Sequence, residues 1–328
     1  MYVLIIKRFV FRKKGSKLSK TWTYILVLFV MILWGLNVVA VKFLVESLPP
    51  VAMQGLRIFI GGIIAIIVLF FLKDLRKLTK KEWGYTIVAA VFGQMLHHSL
   101  LALGLVQTTA GNASLILGLI PLATAIFAML FLKDSITLLR TIGIALGFGG
   151  VCLVVLQNAE IGVISPGDIL VFIAMLSQAF SFVIIKKVTA TLSSRQLTAV
   201  MLLVGAVMLL ILSFIFEPQG VGNLVHGNTI VWTVLVLSAV FATGLGHILY
   251  NAAIQEIGAG QTAIFNNLVP FISLIGAFFL LGEAIYTSQI IGFVLIVLGV
   301  LFGTGYIETR VLKKRMNSIG KKQKKQTA

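Results

Sequence analysis

Four ionisable side chains stand inside long hydrophobic runs of this chain: Arg57, His97, His98 and His247. A charge-bearing group at such a position is costly in lipid, so each is a functional candidate by default. His98 and His247 lie 149 positions apart. Imidazole titrates near neutral pH, which makes them candidates for a proton relay or paired gates; the alternative is two neutral histidines hydrogen-bonded across helices. His97 is rotated by about 100° from His98 on a helix, so at most one of the two faces a common space, and His98 is preferred. Arg57 stands about two turns into its run, where a planar guanidinium suits a substrate carboxylate. Its alternatives are snorkelling to the interface or bonding carbonyls of a neighbouring helix. No Asp or Glu lies in the middle of any run. Without a nucleophile–base pair or a metal-ligating set, no catalytic residue, metal or cofactor is expected, and an intramembrane enzyme is disfavoured.

Neutral polar residues form a second set. Trp34 and Asn37 lie in WGLNVVAVK, and Gln178 and Ser181 in QAFSFVIIK, with the same spacing from Trp34 to Lys42 as from Gln178 to Lys186. An aromatic ring and amides facing a cavity can stack on and hydrogen-bond a small solute, although such residues also serve as packing. Pro121 and Pro270 each remove one helical hydrogen bond and leave the carbonyls of Leu117 and Asn266 to find partners in a side chain, water or solute. Asn266 and Asn267 stand beside the second break and are expected either to line a cavity or to cap the kink.

The elements that must carry these residues are apolar helices. Hydrophobic residues make up 59% of the 328 positions and charged ones 11%, too little charge for a soluble surface. Runs of spanning length predict ten transmembrane helices at about 22–45, 51–72, 83–105, 108–132, 136–156, 167–188, 196–216, 229–252, 258–282 and 285–306. Residues 110–151 match 259–300 at 13 of 42 positions without gaps, with Ala-Gly pairs, prolines, Gly143/Gly292 and Gly150/Gly299 in register. The expected organisation is therefore a basic arm (1–21), a first five-helix repeat (22–156), a second (167–306) and a basic tail (307–328). An odd number of spans per repeat makes the two cross the membrane in opposite senses. An all-α inverted repeat with proline-broken helices is the pattern of a secondary carrier.

The formal charge of +17 comes from Lys and Arg at the two ends and in the 73–81 loop. Such placement marks the cytoplasmic side, puts both termini there, and suits anionic lipid; no nucleic-acid partner is expected. Ser165-Pro166-Gly167-Asp168 reads as a helix start between the repeats. Glycines at 143, 147, 149, 150, 299, 303 and 305 are expected to pack the fifth and tenth spans together, with a homodimer face as the alternative. Cys152, in an apolar run, is expected to be a core packing residue.

WGLN in the first span, the Arg57 position, ASLILGLIPLATAIFAMLFLKD in the fourth span and the repeat ending PFISLIGAFFLLGE resemble the drug/metabolite transporter superfamily, and within it the EamA-type branch. The resemblance covers about residues 22–306 and departs where Asp134 stands for a frequent glutamate. It implies a ten-helix carrier with a central cavity. Its expected role is transport of a small polar metabolite across the plasma membrane, with export of amino acids or related compounds leading and uptake of a choline-like cation as the alternative.

Overall fold

The computed structural model describes residues 20–132, 137–157, 165–257 and 265–307. Most of the basic arm and tail, the acidic end of the first repeat at Asp134, the 158–164 joint and the Ala-Gly start at 259–260 lie outside the described residues.

Among the described residues the chain is helical, with no strand. The helices are α1 (Lys20–Val45), α2 (Pro50–Leu72), α3 (Lys80–Gln107), α4 in two pieces (Ala110–Leu117 and Ile120–Leu132) and α5 (Leu138–Gln157). They continue with α6 (Pro166–Val188), α7 (Ser194–Phe216), α8 (Thr229–Leu237 running on to Ile257), α9 (Leu268–Leu281) and α10 (Thr287–Gly303). Eight are long and apolar enough to cross a membrane, and α9 and α10 are shorter apolar helices. Lipid offers no partner to a backbone N–H or C=O, so a spanning segment must satisfy its own, and a helix does.

The helix ends follow local chemistry. Thr79 and Glu82 form a reciprocal capping box at α3. Ser193, Asn228 and Thr109 cap α7, α8 and α4 through their side-chain oxygens. At α6 the motif read from sequence behaves as expected: Ser165 accepts from the Gly167 N–H, Pro166 opens the helix and Asp168 sits in its first turn. Two helices are capped in trans. Glu217 accepts the N–H groups of Val51 and Ala52 at the start of α2, and Glu283 those of Ala110 and Gly111 at the start of α4. Lys42, at the far end of α1, is held by Glu46 at 3.1 Å and donates to the Leu105 carbonyl at 2.9 Å.

α5 lies along α10, α2 along α7, α3 along α6, and α9 along α1. The α5–α10 crossing is backbone on backbone. A Cβ at Gly143 would stand 2.2 Å from the Gly303 nitrogen, one at Gly299 2.5 Å from the Gly147 nitrogen, and one at Gly150 2.7 Å from the Gly292 oxygen. Glycine is required because no larger residue permits that approach.

Cys152 is a correction. It is exposed on α5 and does not pack in the core. The reason is the solvent: in lipid the outward face of a helix is as apolar as the inward one, so an apolar run does not mark the buried side. Phe70, Phe71, Phe216 and Phe279 are likewise more than 60% exposed.

Two helices change pitch. α3 passes through a π-helical segment at Val91–Leu96, and α8 through one at Ser238–Leu245. α4 is interrupted at Gly118–Leu119, and a turn at Asn266–Asn267 precedes α9. The interruptions fall just upstream of Pro121 and Pro270. The Asn266 carbonyl, expected to lack a helical partner, takes the Val269 N–H at 3.1 Å.

Candidate functional site

Arg57 is the centre of the buried polar structure. Only 1% of it is exposed, so it does not snorkel, and its bonds go to side chains and not to backbone carbonyls. Its Nε donates to Gln54 Oε1 at 2.7 Å, one turn back on α2. Its Nη1 donates to Thr243 Oγ1 at 2.8 Å, Ser238 Oγ at 3.2 Å and Asn37 Oδ1 at 3.4 Å. Ser238 in turn donates to Asn37 Oδ1 at 2.5 Å. Nη2 lies 3.4 Å from His98 Nδ1; a guanidinium has only donors, so this is a hydrogen bond when that nitrogen is unprotonated. Four helices, α1, α2, α3 and α8, thus converge on one guanidinium.

The π segment of α8 is what makes this convergence work. In an α-helix, residues five apart point about 140° away from one another. In a π-helix residue i bonds i+5, which brings Ser238 and Thr243 toward one side. Both then reach Nη1. Gly61 on α2 lets α8 come close: a Cβ there would meet Thr243 Cγ2 at 2.7 Å.

Beside this cluster lies an aromatic group. The Trp34 ring centroid is 4.8 Å from that of Tyr250 and 5.2 Å from that of His247, both tilted. Its indole N–H donates to the Ala242 carbonyl in the π segment at 3.0 Å, and Gly246 leaves room for the ring. His247 Nδ1 is 2.8 Å from the Thr243 carbonyl, which can only accept, so Nδ1 carries the proton. Asn266 Nδ2 donates to the Tyr250 hydroxyl at 3.0 Å, and its own Oδ1 is buried without a partner.

The residues singled out from sequence divide here. Asn37, Arg57 and His98 meet directly, and Trp34, His247 and Asn266 form the adjoining group. Asn267 is buried within the turn. Ser181 is elsewhere: its hydroxyl donates to the Ala89 carbonyl at 3.0 Å, where α6 packs on α3. Gln178 is also buried on α6. His97 bonds the Ala174 carbonyl of α6 at 3.0 Å, with its ring 4.7 Å from that of His98. Pro270 is buried beside the turn before α9, and a Cβ at Gly118, in the α4 interruption, would touch its ring at 3.0 Å. Sequence reasoning missed Gln54, Ser238, Thr243 and Tyr250. Gln54 carried a signal, as an amide three residues before an intramembrane arginine; the two hydroxyls carried none.

Apolar helices of spanning length around a buried polar centre define a multi-pass helical membrane protein. The model of the EamA-like transporter family matches residues 21–156 and again residues 165–304. The chain belongs to this family. It is 33% identical over 291 residues to the uncharacterized transporter YyaM of Bacillus subtilis (strain 168), covering 87% of this chain and 94% of that protein. It is 29% identical to the uncharacterized transporter YvbV of the same organism, covering 93% and 97%. A crystal structure of a protein 18% identical in sequence superposes with a TM-score of 0.63 over 87% of this chain and 97% of the other, which is a likeness of fold.

Proposed function

We propose that this protein is a secondary-active carrier of a small polar metabolite working by alternating access, with the Arg57 cluster as its substrate site. The carrying observation is that cluster: a guanidinium buried among apolar helices, bonded to side chains from both halves of the chain. The proposed frame is ten spans in two inverted five-helix repeats (22–156 and 167–306), set in the plasma membrane with both termini and the basic segments on the cytoplasmic side, near anionic lipid. Several pairings support the inverted repeat. The π segments at 91–96 and 238–245 and the interruptions at 118–119 and 266–267 nearly coincide under the 149-residue offset. α2–α7 and α5–α10 pair with themselves under it, and α3–α6 maps onto α8–α1.

Export of amino acids or related compounds is the leading direction and class. A choline-like cation is the second reading, because Trp34 and Tyr250 present aromatic rings. Those rings pack against each other at a tilt, 4.8 Å between centroids, and a guanidinium near them opposes a cation. A liposome efflux screen of amino acids and quaternary amines, with and without a proton gradient, tests the proposal. Saturable efflux of an amino acid is expected. Efflux no faster than from empty liposomes across the panel contradicts it.

A further inference from the structure

We infer that the Arg57 cluster is an anion site, which the carboxylate of a small organic solute fills. A buried charge normally has a partner of opposite sign. Among the described residues no carboxylate pairs with Arg57; every acceptor it uses, from Gln54, Asn37, Ser238, Thr243 and His98, is neutral. The other titratable groups around it are histidines. The positive charge is therefore solvated by dipoles but not neutralised.

Two sets of donors are left over. Arg57 Nη2 carries two hydrogens and has one contact, the 3.4 Å approach to His98. Gln54 is completely buried, its oxygen holds Arg57 Nε, and its amide nitrogen has no acceptor. Three residues apart, the two share a face of α2. Positive charge plus spare donors calls for a partner that only accepts. A carboxylate is such a group and takes a guanidinium in a planar fork. Water could fill the hydrogen bonds but not balance the charge. Asn37 and His98, which both touch the guanidinium, are only half-buried, so the cluster is least enclosed on their side.

This rests on the carrier reading only in calling the carboxylate compound the transported solute. The test is thermal stability of the purified full-length protein in detergent with four probes: N-acetylglycine, methyl phosphate, glycinamide and choline. N-acetylglycine is expected to raise the melting temperature in the millimolar range, and glycinamide and choline are not. A larger shift with methyl phosphate than with N-acetylglycine would keep an anion site and overturn the carboxylate assignment. Arg57→Gln removes the charge but also the hub of the network, so Asn37→Asp is the discriminating variant. It places a carboxylate 3.4 Å from Nη1, within the existing contacts, and neutralises Arg57 from inside. Asn37→Asp is expected to fold at least as stably as the parent and to bind N-acetylglycine at least tenfold more weakly. An unchanged response in Asn37→Asp, shifts with the two cations, or no shift with either anion overturns the anion site. Transport of choline alone would leave a carrier without this site; binding of N-acetylglycine without its movement across proteoliposomes would leave the site without a carrier.

Discussion

The α5–α10 crossing and the Arg57 cluster solve one problem, holding helices together in lipid, by opposite means. At the crossing, glycines bring two backbones into direct contact. In the cluster, four helices are joined by polar side chains around a charge, and donors remain unsatisfied. Lipid supplies little hydrophobic drive between helices, so close packing is the inexpensive way to join them. A buried, unneutralised guanidinium is a costly way, which is why it points to a task other than packing.

The packed crossing is the more sensitive of the two regions to substitution. Gly299→Leu places a side chain where a Cβ alone would meet the Gly147 nitrogen at 2.5 Å. Loss of most folded protein, at least about 3 kcal/mol, is expected by size-exclusion chromatography and thermal melting. Gly149→Ala on α5 has open space and is expected to change stability by less than about 1 kcal/mol. A crossing indifferent to Gly299→Leu would mean the two helices are not packed as described.

On the polar side, Arg57→Gln is expected to lower transport about 10- to 100-fold, in line with removal of charged hydrogen bonds. The check is the initial rate in proteoliposomes normalised to folded protein. A fall in yield with a normal specific rate would make the cluster structural.

The two histidines border the site. His98 faces Arg57 and His247 lies against Trp34, so the pair borders both parts of the site. If they couple transport to protons, the rate depends on pH between about 5.5 and 7.5, and His98→Gln and His247→Gln flatten that dependence. Wild-type pH profiles in both variants would assign them to structure.

The smallest effect is expected at the trans caps. Glu283→Gln keeps an acceptor but removes the charge facing the Ala110 and Gly111 N–H groups. A loss of about 0.5–1 kcal/mol, roughly one degree in melting temperature, is expected with little change in transport.

Much of the fold was legible because lipid imposes length on every span, and Ser165-Pro166 and the glycines at 143, 150, 292 and 299 mark local geometry that few other residues allow. Within the site, Asn37, Arg57 and His98 were legible as polar groups in apolar runs. Ser238 and Thr243 were not, because α-helical periodicity separates them and only the π segment joins them. Cys152 was misplaced because apolarity in lipid carries no inward direction. Ser181 matched Asn37 in its repeat but packs under α3, since α7, the repeat mate of α2, carries no charge inside its apolar run to draw it in.

As the substrate site of an alternating-access carrier, the Arg57 cluster is to be reached in turn from both sides of the membrane. Ser238→Cys, in a Cys152→Ala background, puts a thiol beside Arg57 and Asn37 with little change in size. Small membrane-impermeant thiol reagents are to be applied separately to right-side-out and inside-out vesicles. Labelling from both sides, slowed by N-acetylglycine, is expected. Labelling from one side only, or unaffected by N-acetylglycine, would contradict it.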